Sequence, residues 1–173
     1  MASLRKFKCY RTLKDRAYTR KSKFKNKGYI NSVPANKIVK FDMGDATRTY
    51  TYAICAVSRD DVQIRHNAIE AARQMINRRL TKVLGAKGYH LKVNMYPHHI
   101  LRENKMLSGA RADRLQTGMS HAFGKAISLA ARVKKGKTLF TAYVDDNGLK
   151  IAHEALKAIS PKLPGKISVV LKK

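Results

Sequence analysis

Residues 89–95, Tyr-His-Leu-Lys-Val-Asn-Met, alternate strictly between apolar and polar side chains. Successive side chains of a strand point to opposite faces of a sheet, so this stretch predicts a strand with one buried and one polar face. The odd-numbered residues are expected to pack on helices, and the even-numbered ones to face solvent or a partner. Pro97 follows and ends the strand.

Further strands are predicted on both sides of this stretch. Residues 38–43 and 49–57 are strand-like and are separated by Gly44-Asp45-Ala46, which predicts a hairpin. Residues 138–144 and 167–171 carry the same kind of pattern, and a turn over 160–165 precedes the last of them. The chain therefore contains strands before and after its helical segments.

Helical periodicity predicts two main helices and a short third one. Residues 61–84 have an apolar stripe at spacings of three and four, and Gly85 ends it. Ser58 lies three residues before Asp61, the spacing of a capping box at the start of that helix. A second stripe predicts a helix over 117–133, and residues 149–159 predict a short one that begins after the turn at Asp145-Asp146.

These elements predict the fold class. Two main helices with strands on either side, partly joined by hairpins, indicate an α+β fold with mixed or antiparallel strands rather than a doubly wound sheet. At 173 residues and 44% apolar, the chain can form a single compact domain with a real core.

Charge indicates what this domain binds. The chain has 37 basic and 11 acidic residues, a formal net charge of +26, and such an excess repels itself unless a polyanion neutralises it. Residues 1–27 hold eleven basic residues and one acid, with aromatic residues between them. We predict a basic N-terminal arm over 1–28, which orders on nucleic acid, and an α+β globular domain over 29–173.

Composition argues against several other classes of protein. No apolar run has the length of a membrane span, and the N-terminus lacks the apolar segment of a secretory signal. Cys9 and Cys55 have no paired spacing, and we expect Cys55 to be a small buried side chain. His98 and His99 are adjacent, so on a strand they point to opposite sides and cannot hold one metal ion together. Neither a metal nor a cofactor is predicted.

Catalytic patterns are also absent from the sequence. Ser108 lacks the Gly-x-Ser-x-Gly context of a nucleophile elbow, and residues 118–125 depart from a phosphate-binding loop in spacing and in their last residue. His66 and Glu70 are four residues apart, which we interpret as a surface contact on a helix. Two alternatives to RNA binding remain open at this point, a general DNA-binding protein and an RNA-modifying enzyme.

Residues 97–117 fit neither the alternation of a strand nor the periodicity of a helix. The stretch mixes charged, small and apolar side chains, and Ser108-Gly109 interrupts any stripe. A connection of this length in a compact domain is usually functional or disordered. We predict an irregular functional loop over residues 102–114.

Several ordered blocks of the sequence resemble one protein family. The blocks are Cys9-Tyr10-Arg11, Tyr18-Thr19-Arg20, Phe41-Asp42-Met43-Gly44, Tyr96-Pro97-His98-His99, Arg102-Glu103-Asn104-Lys105-Met106, Ala112-Asp113-Arg114, Ala122-Phe123-Gly124-Lys125 and Leu163-Pro164-Gly165-Lys166. The family is the universal large-subunit ribosomal protein numbered sixteen in bacteria and ten in eukaryotes, and the chain looks like its archaeal form. The resemblance covers essentially all 173 residues.

This resemblance implies a ribosomal hammerhead fold and a non-enzymatic role in translation. It implies a structural constituent of the large subunit, located in the cytoplasm, that binds large-subunit rRNA beside the cleft for aminoacyl-tRNA and peptidyl-tRNA. The loop would point toward the peptidyl transferase centre, and other ribosomal proteins are further partners. No membrane and no small-molecule substrate is implied. Arg111 interrupts the small-residue stretch that the family usually has in the loop, so it adds charge there.

Charge and resemblance together give two sets of candidate site residues. The predicted rRNA-binding residues are Arg5, Lys6, Lys8, Tyr10, Arg11, Arg16, Tyr18, Arg20, Lys21, Lys23, Lys25, His90, Lys92, His98, His99 and Lys125. The residues of the loop predicted to lie near tRNA and the peptidyl transferase centre are Arg102, Asn104, Lys105, Met106, Arg111 and Arg114.

Overall fold

Two antiparallel sheets and two helices make up the described part of the chain. The structure is a computed structural model, and it describes residues 6–13, 24, 26, 30–105, 109 and 124–172. The elements in chain order are β1 (Asp42–Gly44), β2 (Tyr52–Ser58), β3 (Val62–Arg65), α1 (His66–Leu84), β4 (His90–Val93), β5 (His99–Glu103), β6 (Lys125–Val133), β7 (Thr138–Val144), α2 (Leu149–Lys157) and β8 (Ile167–Lys172).

The strands form a large and a small sheet. The large sheet has the order β1-β4-β7-β2-β8, the small one has the order β3-β6-β5, and every strand pair is antiparallel. Helix α1 packs against α2, and the two helices and both sheets contribute to one apolar core. The predicted α+β class is confirmed. Neither helix in the described residues has the length and apolar character needed to cross a bilayer.

Strand β4 has the register that its alternation predicted. Tyr89, Leu91, Val93 and Met95 are all at most 5% exposed, whereas Lys92 is exposed on the opposite face. The hydroxyl of Tyr89 reaches α1, where it donates to Asn77 Oδ1 at 2.6 Å. The start of the strand is therefore held to the helix by a polar contact as well as by packing.

The hairpin predicted around Gly44 is wrong. Strand β1 pairs with β4, with Met43 opposite Leu91, and β2 pairs with β7 and β8. Gly44 adopts φ +84° and lies against the Tyr89 carbonyl, where a Cβ would overlap that oxygen. The glycine thus permits a close approach between β1 and the start of β4 rather than a turn into β2.

The start predicted for the first helix is also wrong. Residues 62–65 form β3, which pairs with β6, and the helix begins at His66 with Arg65 as an N-cap that makes no side-chain capping bond. Ser58 does not cap the helix, because its hydroxyl donates to the Asp60 carbonyl at 2.8 Å. The predicted end of the helix at residue 84 is confirmed.

The helix predicted over 117–133 is wrong from residue 125 onward, because residues 125–133 form the strand β6. The prediction for 117–123 lies outside the described residues. Ile127, which the helical stripe would bury, is 42% exposed, while residues 128–131 are buried one after another. The strand over 138–144 is confirmed, as are the short helix near 149–159 and the last strand.

Two predictions about polar and sulfur side chains have opposite outcomes. Cys55 is buried, as expected, whereas Cys9 is exposed. His66 and Glu70 do not form a surface contact, because both are buried at 3% and 9% exposure. Glu70 binds the Arg73 guanidinium at 2.6 and 2.8 Å, and these bonds hold the pKa of its carboxyl below the usual value despite burial.

Candidate nucleic-acid interface

The described part of the predicted arm contacts the globular body. Gln63 of β3 donates its backbone N–H to the Arg11 carbonyl and its side-chain Nε2 to the Tyr10 carbonyl, both at 2.7 Å. Arg132 of β6 donates to the Leu13 carbonyl at 2.9 Å. Strand β3 is an edge strand, and the Arg11 carbonyl accepts from the Gln63 backbone N–H, which the small sheet leaves open.

The basic side chains of this segment lie at the surface. Lys6, Lys8 and Arg11 are exposed, whereas Tyr10 is half-buried and has the Arg65 guanidinium 5.6 Å from its ring centroid. The other predicted residues of the arm lie outside the described residues: Arg5, Arg16, Tyr18, Arg20, Lys21, Lys23 and Lys25.

The polar face of β4 carries a histidine and a lysine beside one carboxylate. His90 Nε2 lies 3.2 Å from Asp42 Oδ1, and the His90 ring stacks on Tyr143 with centroids 5.2 Å apart. Lys92 is exposed and lies opposite Asp42 in the register of β1 and β4. The predicted outward face is thus present, with a weakly basic and aromatic character.

The two adjacent histidines lie at the start of β5. His98 is half-buried with its ring centroid 4.5 Å from that of Tyr96, and Tyr96 in turn stacks on Phe41 at 5.5 Å. Tyr96 is 51% exposed, so this group of rings reaches the surface. His99 is only 3% exposed, and the rRNA contact predicted for it would require a side chain at the surface.

The irregular segment is shorter than predicted, because residues 99–103 form β5. Strand β5 pairs with β6, and Glu103 lies opposite Lys125 in the last described pair. Residues 104–124 join these two paired strands in the sequence, and we call them the hairpin connection; residues 106–108 and 110–123 of it lie outside the described residues. Gly124 adopts φ +99°, and a Cβ there would lie 2.7 Å from the Glu103 carbonyl carbon and oxygen.

The candidate residues of the loop lie at this base or beyond it. Arg102 and Asn104 are half-buried, Lys105 is exposed, and Lys125 is exposed on the returning strand. The remaining candidates lie outside the described residues: Met106, Arg111 and Arg114.

The structure contains a further basic cluster that was not predicted from the sequence. It combines the turn between β6 and β7 with residues just after β2 and just before β8, and all its side chains are exposed. We call it the lysine corner, and it consists of Arg59, Lys134, Lys135, Lys137 and Lys166. Three lysines within four residues were visible in the sequence, but their approach to Arg59 and Lys166 depends on the tertiary fold.

Backbone hydrogen bonds hold the lysine corner together. Lys135 N donates to Asp61 Oδ1 at 2.6 Å, and Lys166 N donates to Asp60 Oδ2 at 2.8 Å. Arg59 N donates to the Lys166 carbonyl at 2.9 Å. Within the described part of the chain, the five cationic side chains form no ion pair. The carboxylates accept backbone hydrogen bonds in the turns, and the cationic side chains stay exposed to solvent.

Helix α1 adds a second cationic surface. Arg78, Arg79 and Lys82 are exposed on its C-terminal half, and its single acid, Glu70, is bound to Arg73. The described residues contain no group of three or more side chains that could hold a metal ion. The arrangement suits electrostatic binding of phosphates more than acid–base chemistry.

The fold and these surfaces define a strongly basic α+β protein built to contact a polyanion. Residues 13–170 match the family described as ribosomal protein L16p/L10e. The chain is 45% identical to a protein of Methanoculleus marisnigri over 163 residues, which cover 94% of this chain and 92% of the relative. It is 45% identical to one of Staphylothermus marinus over 169 residues, with 98% and 94% covered. Both relatives are named large ribosomal subunit protein uL16.

The chain belongs to the ribosomal protein L16p/L10e family. It is therefore a ribosomal protein, a structural constituent of the ribosome and not an enzyme, which confirms the resemblance read from the sequence blocks. The predicted cytoplasmic location, in the ribosome, agrees with this membership.

Proposed function

We propose that the chain is a constituent of the large ribosomal subunit, where it binds rRNA and helps to shape the cleft for tRNA. The lysine corner is the observation that carries the rRNA part. Its five exposed cations are brought together from three separate segments, and its carboxylates are occupied by backbone N–H groups. Such a surface gains affinity by releasing counterions from phosphates.

The hairpin connection supports the tRNA part of the proposal. Its two ends lie beside the Glu103 and Lys125 pair, and β5 and β6 pair with each other up to that point. The connection 104–124 contains three basic residues and one acid. In the proposed role it positions aminoacyl-tRNA and peptidyl-tRNA near the peptidyl transferase centre by phosphate and stacking contacts, and takes no part in the chemistry.

Salt dependence tests the rRNA part. Replacing Lys134, Lys135 and Lys137 by Ala should weaken binding to large-subunit rRNA and lower the slope of log affinity against log salt. Each lost phosphate contact removes about 0.9 on duplex DNA and roughly 0.7 on single strands. The control replaces Lys150 and Lys157, exposed lysines of α2, by Ala. An equal loss in both variants would contradict a specific role for the lysine corner.

Sedimentation and loop deletion test the remaining parts. The native protein should sediment with large-subunit particles, and its presence only in chromatin or in the free fraction would contradict the proposal. A variant lacking residues 104–112 should still fold and join the particle, because β5, β6 and Gly124 are kept. Those particles should bind aminoacyl-tRNA or peptidyl-tRNA less well, or form peptide bonds more slowly. Normal tRNA affinity and normal rates would reduce the loop to a connector.

A further inference from the structure

Strand β8 is an outer strand of the large sheet, and its outer edge is open. In the described part of the chain it pairs only with β2, from Ile167 to Lys172 and without a bulge. Of the outer strands that the structure describes, β8 is the longest. Proteins usually protect such an edge with a short strand, a bulge, a proline or an inward-pointing charge. Strand β8 has no bulge and no proline, and its single charge is its last residue, Lys172.

The register shows which backbone groups of β8 are open. Arg59 N donates to the Lys166 carbonyl, and Ser58, one residue earlier, lies opposite Ile167. Hydrogen-bonded pairs alternate with non-bonded pairs in an antiparallel ladder, so residues 168, 170 and 172 bond to β2. Residues 167, 169 and 171 therefore direct their N–H and C=O groups away from β2. Within the described residues, these groups have no hydrogen-bond partner.

Apolar side chains accompany the open edge on both faces of the sheet. Val170 and Leu171 are 47% and 49% exposed, and as consecutive strand residues they point to opposite faces. A row of open backbone groups with apolar side chains beside it is the surface to which an extended peptide adds as a further strand. The phosphates of RNA carry acceptor oxygens only, so they match neither the open carbonyls nor the apolar side chains.

Charge indicates the chemistry of the partner. Residues 166–173 contain three lysines and no acid, with Lys166 just before the strand and Lys172 at its end. A second copy of the chain would bring its own lysines to these ends in either strand direction, and two bodies of net charge +26 repel each other. A peptide segment with a carboxylate near each end is attracted instead.

We propose that β8 binds an extended segment of a second protein, which adds to the five-stranded sheet as a sixth strand. The segment has β-forming apolar residues at its centre, beside Val170 and Leu171, and an acidic residue near each end, beside Lys166 and Lys172. Its main chain exchanges hydrogen bonds with residues 167, 169 and 171. This inference goes beyond the proposed binding of rRNA and does not depend on it.

Hydrogen exchange on the full native chain tests both the open edge and its occupant. In the free chain, the amides of residues 169 and 171 should exchange faster than those of 168 and 170, which bond to β2. The peptide Glu-Val-Thr-Val-Thr-Val-Glu should slow exchange at 169 and 171. The same peptide with lysine in place of both glutamates should bind about 2- to 30-fold more weakly, the range for two exposed ion pairs. Equal affinity of the two peptides, or protection only elsewhere in the chain, would overturn the proposal.

Two substitutions at one position give the second measurement. Leu171→Pro removes an outward N–H, and proline is tolerated at such a place on an edge strand. Affinity for the acidic peptide should fall about 2- to 13-fold, the range for one hydrogen bond. The control Leu171→Val keeps the N–H and an apolar side chain and should bind as the native chain does. Thermal melting establishes that both variants fold, and unchanged affinity in folded Leu171→Pro would overturn the proposal. If Leu171→Pro does not fold, the two-peptide comparison on the native chain decides.

Two further measurements distinguish the peptide from other occupants. The native chain should sediment as a monomer, and a dimer that Leu171→Pro dissociates would make the occupant a second copy and overturn the proposal. Large-subunit rRNA should bind Leu171→Pro as tightly as the native chain, and a selective loss of rRNA binding would overturn the proposal in favour of RNA at this edge. Failure of strand addition leaves the salt dependence of the lysine corner unchanged, so the proposed function is tested separately.

Discussion

His66, the buried first residue of helix α1, connects the segment before β1 to strand β6. His66 Nδ1 accepts from the Lys37 backbone N–H at 3.3 Å, and His66 Nε2 lies 3.1 Å from Ser128 Oγ in β6. Because Nδ1 accepts, the ring is neutral with its proton on Nε2. Burial lowers the pKa of His66, and the positive charges of Lys37 and Arg65 lower it further.

This lowered pKa predicts that stability depends on pH below neutrality. The unfolded histidine titrates near 6.5 and the folded one below that value, so the unfolded state binds more protons as the pH falls. The stabilisation that comes from keeping His66 neutral is complete above pH 6.5. As the pH falls toward the folded pKa it is lost, and the free energy of unfolding then changes by up to about 1.4 kcal/mol per pH unit. Urea unfolding of the native chain from pH 7.5 to 5.5 measures it.

The matched variants for this prediction are His66→Gln and His153→Gln. Glutamine at 66 keeps a donor and an acceptor but does not titrate, so its stability curve should be flatter over this range. His153 is exposed on α2, and its replacement should leave the curve of the native chain unchanged. Parallel curves for the native chain and His66→Gln would show that His66 does not produce the dependence.

Neighbouring residues of β4 should respond oppositely to truncation. Leu91 is fully buried, and Leu91→Ala should lower the free energy of unfolding by about 2–5 kcal/mol through the cavity that it leaves. Lys92 is exposed, so Lys92→Ala should change it by no more than about 0.5 kcal/mol. Chemical denaturation measures both values, and exchanged effects would mean a register shifted by one residue.

At the scale of elements, the hairpin of β5 and β6 shows how a strand can resemble a helix in sequence. Residues 126, 127, 130 and 133 have helical spacing, yet they lie in β6 between two partner strands. A strand buried along four consecutive residues loses its alternation, so the period of two is invisible there. Pairing with β3 and β5 then decides the conformation against the local alanine-rich preference.

Two glycines of this region allow the cost of a left-handed backbone to be distinguished from the cost of steric overlap. Gly124 and Gly136 have φ of +99° and +83°, but a Cβ added at Gly124 alone would have backbone atoms, those of residues 103 and 104, within 3 Å. Gly136→Ala should cost about 1–2 kcal/mol from its left-handed conformation alone. Gly124→Ala should cost more, because Glu103 must also move. Equal losses on urea unfolding would argue that the base of the connection relaxes freely.

At the scale of the whole molecule, the net charge of +26 is distributed over a body that binds part of its own arm. The arm was predicted to order only on nucleic acid, but residues 10–13 bond to β3 and β6 in the isolated chain. The boundary at residue 28 remains a prediction. The arm thus has a segment that contributes to stability and flanking segments rich in charge.

Two deletions distinguish these roles. Removal of residues 1–9 takes away three basic residues and should lower the salt slope of RNA binding by about 2 to 3 without a loss of stability. Removal of residues 1–27 should lower the slope further, and should also cost about 1–4 kcal/mol because three hydrogen bonds to the body are lost. Unchanged slope and stability in the longer deletion would contradict both roles of the arm.

The sequence by itself determined the features that depend on neighbours along the chain. Alternation defined β4, stripes at three and four residues defined most of α1, and the balance of basic and acidic residues indicated a polyanionic partner. The ordered blocks also indicated the family, which the comparisons confirm. These signals are local, because a side chain's face is set by the dihedral period of its own segment.

The tertiary structure alone decided which strands pair and which cations meet. Two strands lie between β1 and β2 in the sheet although they are consecutive in the chain, and residues 62–65 become a strand because β6 offers them a partner. The lysine corner and the contact between Gln63 and the arm likewise join segments about 50 to 110 residues apart. Such contacts follow from burial and hydrogen bonding across the whole chain, which no local period encodes.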